Sequence, residues 1–265
     1  MTSLDLYSNV IVNIAFNFSW SSFSLKATMK DRSESYNEPF LVGAIVARMR
    51  GLMVDGEFRA GEKLSEHIVA TRLAVSRNTL REAFRLLTAQ GLLTHIPNRG
   101  VYVAAPDEAA IIDIFRVRSA LQTRALQLAY KTHPGVIRMR AAAEAGELAA
   151  SHLDWKTAAK LNLEFHRAMV TICDSPRIDS AFDLALAELS LVFGQLDDIT
   201  CFHDPFLPLN ARITSLIEAQ DNSAALTLLE SYLLKSERAI LGALQRTKKE
   251  SKIGFVKLLD RSSKE

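Results

Sequence analysis

Ser76, Arg77, Asn78 and Arg81 fall within six residues of one another, and guanidinium and amide groups are the side chains that bond base edges and phosphate oxygens. Leu80, Phe84 and Leu87 recur at helical spacing in the same stretch, which sets the polar quartet on the opposite face. Ser76 stands where an N-cap belongs, and the helix start it opens attracts phosphate through its dipole and free N–H groups. A first short helix over Leu64-Ser65-Glu66 to Leu73 and a tight turn precede it. That order is a helix-turn-helix, whose partner is DNA. Beyond Gly91, residues 92–96 and 100–104 have strand character, with Pro97-Asn98-Arg99-Gly100 as turn chemistry between them. The resulting hairpin is a wing with Arg99 at its tip and Gly100 where backbone approaches a phosphate or the minor groove. A surface helix pair with solvated arginines is the bland alternative, and the order of the four pieces argues against it.

Charge divides the chain the same way. Residues 39–106 hold nine Lys and Arg against five acids, whereas residues 107–245 hold thirteen against eighteen. The net +2 of the whole chain thus hides a basic module joined to an acidic one, as expected when only one of them meets phosphates.

Three runs carry a family resemblance: Gly56-Glu57-Phe58-Arg59-Ala60-Gly61-Glu62-Lys63-Leu64-Ser65-Glu66, Leu73-Ala74-Val75-Ser76-Arg77-Asn78-Thr79-Leu80-Arg81-Glu82-Ala83, and Pro97-Asn98-Arg99-Gly100-Val101-Tyr102-Val103. In order and spacing they resemble the winged-helix domain of the GntR family of bacterial transcription regulators, over about residues 40–105. The resemblance implies DNA contacts from Ser76, Arg77, Asn78 and Arg81 on the recognition helix, and from Arg99 and Gly100 in the wing. His67 occupies a position that contacts phosphate as an arginine in some relatives and is counted with them. Ala74 replaces the family's turn glycine, and the expectation is that the turn forms without a left-handed residue.

From Pro106 to about Gln245 the pattern is helical throughout. Ile111, Ile114, Phe115, Leu121, Ala125 and Leu128 mark one amphipathic helix, ended by His133-Pro134-Gly135. Helices follow over residues 136–152, 155–173, 178–197, 209–220 and 223–244, an α-helical bundle. With Arg116-Val117-Arg118-Ser119-Ala120-Leu121, Asn162-Leu163-Glu164-Phe165-His166 and Ala219-Gln220-Asp221, this order resembles the FadR-like (FCD) effector domain. The fold class is therefore mainly α: an N-terminal winged helix-turn-helix with a small β-hairpin wing, then an all-α bundle of FCD type. The expected division is 38–105 for DNA binding, 106–247 for effector binding and dimerisation, and 248–265 as a basic tail. Residues 1–37 match nothing in the family and are expected to be a disordered or mis-annotated extension, with Met29 a candidate initiator.

Within the bundle, Arg118 lies on the stripe 111, 114, 118, 121, 125, which aims its guanidinium inward. A buried guanidinium requires an anion. Two partners are open at this stage: an internal acid such as Glu164 or Glu188, or the carboxylate or phosphate of a ligand, which the Arg fork suits. Asn162 and His166 are one turn apart on one face. The FCD resemblance implies Asp and His at this pair, and two further histidines, as a divalent-metal site; alignment puts Asn210 and Tyr232 in place of the latter. Three of four ligands are thereby replaced by poor donors for Zn or Ni, so no bound metal and no other cofactor is expected. The set Arg118, Asn162, His166, Asn210 and Tyr232 is instead expected to bind an effector, although His166 also reads as a core histidine.

The expected function is a ligand-responsive transcription regulator, a repressor that binds a palindromic operator as a homodimer and is released by a small carboxylate metabolite. An enzyme would need an acid–base pair, an activated nucleophile or a competent metal, none of which these positions supply. A helical-domain enzyme and an architectural DNA protein are the alternatives. Cys173 and Cys201 are too few for a disulfide framework, and no run approaches the roughly 18 apolar residues of a membrane span. Val10–Phe18 lacks the basic start of a signal peptide, so the expected location is the bacterial cytoplasm, at the nucleoid.

Overall fold

The computed structural model describes residues 38–196 and 202–262, with the side chains of residues 41–196 and 202–249. The expectations for residues 1–37, Cys201 and the basic side chains from Lys252 on lie outside the described residues. The chain forms two compact units that meet between Ala104 and Ala105.

In the first unit, α1 (Glu38–Val54) buries Val42, Ile45, Val46, Met49 and Met53, a helical repeat along one face. After strand β1 (Lys63–Leu64), Ser65 caps α2 (Glu66–Leu73). Ser76 caps α3 (Arg77–Ala89), its Oγ accepting the Thr79 N–H at 3.1 Å. Such a cap stabilises a helix by about 1 kcal/mol. Met49, Met53, Leu73, Leu80, Leu87 and Leu92 are fully buried and make this unit's core.

The turn between α2 and α3 departs from expectation. Ala74 sits at φ 57°, ψ 44°, a left-handed C-cap, and its N–H closes the helix on Thr71. Two helices joined so tightly require the chain to reverse at one residue, whatever side chain stands there. An alanine in this region carries a cost of roughly 1–2 kcal/mol that glycine avoids.

The wing strands β2 (Leu93–Ile96) and β3 (Gly100–Val103) pair antiparallel, Leu93 opposite Val103. The third strand, β1, pairs with the other edge of β3, Lys63 opposite Tyr102, giving the order β1-β3-β2. Two residues carry no readable alternation, so sequence reading left β1 out. Asn98 at φ 61° and Gly100 at φ 108° make the hairpin turn.

The second unit is all helical among its described residues: α4 (Glu108–Leu128), α5 (Pro134–Ser151), α6 (Trp155–Val170), α7 (Pro176–Phe193), α8 (Leu207–Glu218) and α9 (Asn222–Ser262). Single 3₁₀ turns cover Thr171–Cys173 and Asp204–Phe206. Each start carries chemistry that a helix N-terminus needs: Asp107 caps α4, Asp154 caps α6, and Ser175-Pro176 opens α7. His133 caps α5 with its ring: Nδ1 accepts the Gly135 N–H at 2.9 Å.

Two details of this unit differ from the sequence reading. The buried stripe of α4 runs Ile111, Ile114, Phe115, Arg118, Gln122, Ala125, Leu126. Leu128 is 40% exposed, because the 3.6-residue repeat that passes through Arg118 arrives at Gln122 and Ala129 instead. The last helix also continues to Ser262 rather than ending near Leu244. No proline stands after Leu244, and the Lys, Glu and Leu residues there favour helix.

Candidate nucleic-acid interface and ligand pocket

On α3, Arg77, Asn78 and Arg81 are exposed on the face opposite Leu80, Phe84 and Leu87. Two residues of α2 reach across to them. Arg81 Nε donates to Glu66 Oε2 at 2.9 Å, and an Arg77 terminal nitrogen donates to His67 Nδ1 at 3.3 Å. These contacts preset the two guanidinium groups in a partly ordered arrangement, which reduces the rotamer entropy lost on binding. Ser76 is engaged in the cap, its Oγ also 2.7 Å from Thr79 Oγ1. Arg99 is exposed at the wing turn, its carbonyl accepting from the Tyr102 hydroxyl at 3.4 Å, and Gly100 follows it. Glu66, missed by the sequence reading, was legible as an acid one helix-turn-helix away from Arg81.

In the bundle, the five expected pocket residues lie on α4, α6, α8 and α9, and all are buried. Asn162, His166, Asn210 and Tyr232 form one hydrogen-bonded network. Tyr232 Oη donates to Asn162 Oδ1 at 3.0 Å, and Asn210 Nδ2 donates to the same oxygen at 2.8 Å. The single phenolic proton being committed, His166 Nε2–H donates to Tyr232 Oη at 2.9 Å. His166 Nδ1 is then an acceptor, and Gln122 Nε2 donates to it at 2.8 Å. Asn162 Nδ2 in turn donates to His203 Nδ1 at 3.2 Å.

Gln122 and His203 were not foreseen. Gln122 stands four residues after Arg118 on the same stripe, a signal that was available in the sequence. His203 reaches the network from the stretch before α8, where no periodicity announces it.

Arg118 is the outlier. It is 2% exposed, and among the described residues it makes no ion pair or hydrogen bond; its Nε is buried without a partner. The internal-acid alternative fails in particular for Glu164, which pairs with Arg167 at 3.4 Å on its own helix. Among the described residues the Phe115 ring offers a compensating contact, 4.8 Å from the guanidinium carbon. Burial pulls the Arg118 pKa down to about 10, against a smaller opposing influence of Tyr232, so it stays charged at neutral pH.

The neighbouring titratable groups answer to the same two causes. Burial, then the charge of Arg118, pushes His203 down to about 4. His166 is held well below the ordinary imidazole range by burial first, then Arg118 and His203. Burial raises Tyr232, with Arg118 opposing. Both histidines are therefore neutral at pH 7, and one full positive charge faces this interior.

A small cavity adjoins it, lined by Arg118, Asn162, His203, Tyr232 and Ser236 on the polar side and by phenylalanines and leucines on the other. Its free volume of about 10 Å³ is the room one water requires. The donor set does not fit a divalent cation: one imidazole, two amides and a phenol, each already bonded to another. Among the described residues no three His, Cys, Asp or Glu side chains gather as metal ligands.

A winged helix with exposed arginines, followed by a helical bundle with a buried guanidinium beside a small cavity, is the architecture of a DNA-binding protein with an attached all-helical domain. Comparison with known proteins agrees. The pattern of bacterial regulatory proteins of the gntR family matches residues 41–103, and that of the FCD domain matches residues 113–235. A transcriptional regulator GntR from Rhodococcus sp. RHA1 superposes with a TM-score of 0.69 at 32% identity, over 76% of this chain and 98% of that one. The Nta operon transcriptional regulator of Aminobacter aminovorans is 30% identical over 48% of this chain; the match spans 61% of that relative. The HTH-type transcriptional repressor GlaR of Escherichia coli is 29% identical over 69% of this chain and 87% of its own. The chain belongs to the GntR family of transcriptional regulators and carries an FCD domain. The family and these relatives are regulators, not enzymes. No helix among the described residues is long and apolar enough to cross a membrane.

Proposed function

We propose that this protein is a repressor that binds a palindromic operator as a homodimer and leaves it when a small carboxylate metabolite enters the bundle. In this reading Arg77, Asn78 and Arg81 meet base edges and phosphates, Arg99 and Gly100 anchor the wing, and Ser76 and His67 contact the backbone. Two such recognition helices address successive major grooves about one helical turn apart, which is the physical basis for a two-fold site. It acts in the bacterial cytoplasm, at the nucleoid.

The observation that carries the ligand half of the reading is Arg118. A buried cation with no counter-ion among the described residues is costly, and a carboxylate in the adjacent cavity removes that cost through a bidentate, charge-assisted contact. Asn162 and Tyr232 stand in the wall of that cavity, His166 and Asn210 hold these two in position through the network rather than meeting the ligand, and no divalent metal takes part.

Fluorescence anisotropy with labelled promoter fragments tests this. A two-fold symmetric footprint bound at two chains per site, and released by a carboxylate in the wild type but not in Arg118→Gln, is the expected result. Release that is indifferent to Arg118 would place the ligand elsewhere.

A further inference from the structure

The compartment beside Arg118 constrains the body of its ligand as well as the charge. Both histidines near it are neutral at pH 7, so Arg118 supplies the one cationic side chain among the residues lining the cavity. Asn162, His203 and Tyr232 are already bonded to one another or to the network. Apart from the Ser236 hydroxyl, the remaining wall is hydrocarbon and largely aromatic.

The rings there are arranged as a box around Phe202. Phe193 meets Phe202 edge-on at 5.4 Å, His203 does so at 5.5 Å, and Phe206 stacks on it at 5.9 Å. Phe193, His203 and Phe206 are buried, whereas Phe202 is half-buried. Phe202 is thus the least buried member of the cluster, its ring held by edge and face contacts that any flat ring can make.

Resting on the carboxylate reading above, we propose that the effector is a monocarboxylate with an aromatic body. Its carboxylate pairs with Arg118, and its ring takes the place among Phe193, His203 and Phe206 that the Phe202 ring holds here. A dicarboxylate would bring a second charge against a wall with no second cation. The several hydroxyls of a sugar acid would find Asn162 and Tyr232 engaged and the Ser236 hydroxyl as the main polar group left, so most would stay unpaired. Ring exchange also accounts for the small free volume: a cavity of about 10 Å³ admits a ring-sized molecule only if a ring leaves.

Calorimetry and melting curves on the full chain test this with benzoate, phenylacetate, cinnamate, succinate and gluconate. At least one of the three aromatic monocarboxylates should raise the melting temperature and bind more than tenfold tighter than succinate or gluconate. Arg118→Gln should weaken that binding more than tenfold, and Phe202→Ala should strengthen it several-fold by removing the competing ring. Tighter binding of succinate or gluconate, dependent on Arg118, would overturn the aromatic assignment and leave the carboxylate reading standing. Weaker binding in Phe202→Ala would overturn the ring exchange. Absence of Arg118-dependent binding by all five would overturn both.

Discussion

Tyr232 and Asn162, seventy residues apart in the chain, are joined by a 3.0 Å hydrogen bond at the centre of the bundle. The resemblance to FCD domains implies metal ligands at both positions. Here the phenol and the amide satisfy each other, with His166 and Asn210 completing their valences. A cross-helix network of neutral groups thus stands where a cation and its ligands would otherwise tie α6, α8 and α9 together.

The first prediction concerns that exchange. Purified without a polyhistidine tag, the protein should carry far less than one equivalent of Zn, Ni or Mn per chain, and EDTA should leave its melting temperature unchanged. Elemental analysis that finds stoichiometric metal, lost to EDTA together with stability, would remove the network's proposed role. Tyr232→Phe should cost roughly 1–3 kcal/mol, because Asn162 and His166 each lose a buried partner.

Arg118 makes an opposite prediction about stability. Since no acid among the described residues pairs with it, Arg118→Gln should fold, bind operator, and melt at the wild-type temperature or above. The response to carboxylate should fall more than tenfold, the equivalent of losing a charge-assisted bond of about 1.5–3 kcal/mol. Unfolding of the variant in urea at markedly lower concentration would mean that the guanidinium holds the bundle together.

The two buried histidines set an acid limit. An unfolded imidazole titrates at about 6.5, whereas His203 in the fold titrates at about 4 and His166 also far below its ordinary value. Between those values the unfolded chain binds more protons than the folded one, so stability is complete above pH 6.5 and falls as the pH drops toward 4. Each histidine contributes a slope of about 1.4 kcal/mol per pH unit in that window. Denaturant titrations of the wild type and His203→Gln across pH 4–7 should differ by one such slope; parallel curves would refute the assignment.

At the DNA face, Arg77→Ala or Arg81→Ala should each cost about 1–3 kcal/mol of specific affinity with circular dichroism unchanged. Arg99→Ala should weaken binding across sequences and reduce its salt dependence, the mark of a phosphate or groove anchor. A loss confined to one base pair would instead make Arg99 a base reader. Glu66→Gln should broaden operator preference, because Arg81 then loses the carboxylate that aims it.

Ala74→Gly should stabilise the first unit, by about 0.5–1 kcal/mol, since the left-handed conformation at φ 57° favours glycine. A loss of stability in thermal melts would mean that the alanine methyl packs better than its backbone geometry costs.

The sequence alone determined what depends on local order. Capping serines, the 3.6-residue stripe of α3 and the turn at Pro97–Gly100 each specify structure through near neighbours, so the winged helix and the helical character of the bundle were legible. The inward aim of Arg118 was legible as well, because it follows from one helix's period. Tertiary structure decided the rest. That Glu164 is not the partner of Arg118 turned on where it points, since Arg167 on its own helix holds it. The left-handed turn at Ala74 was imposed by the packing of two helices against a shared core, against the preference of the residue. Strand β1 exists because β3 offers it an open edge, and Gln122 and His203 entered the polar network only when helices distant in sequence were packed together. Hydrogen bonds across tens of residues leave no periodic trace in a chain; burial then makes them obligatory, since a polar group removed from water must find a partner wherever the fold places one.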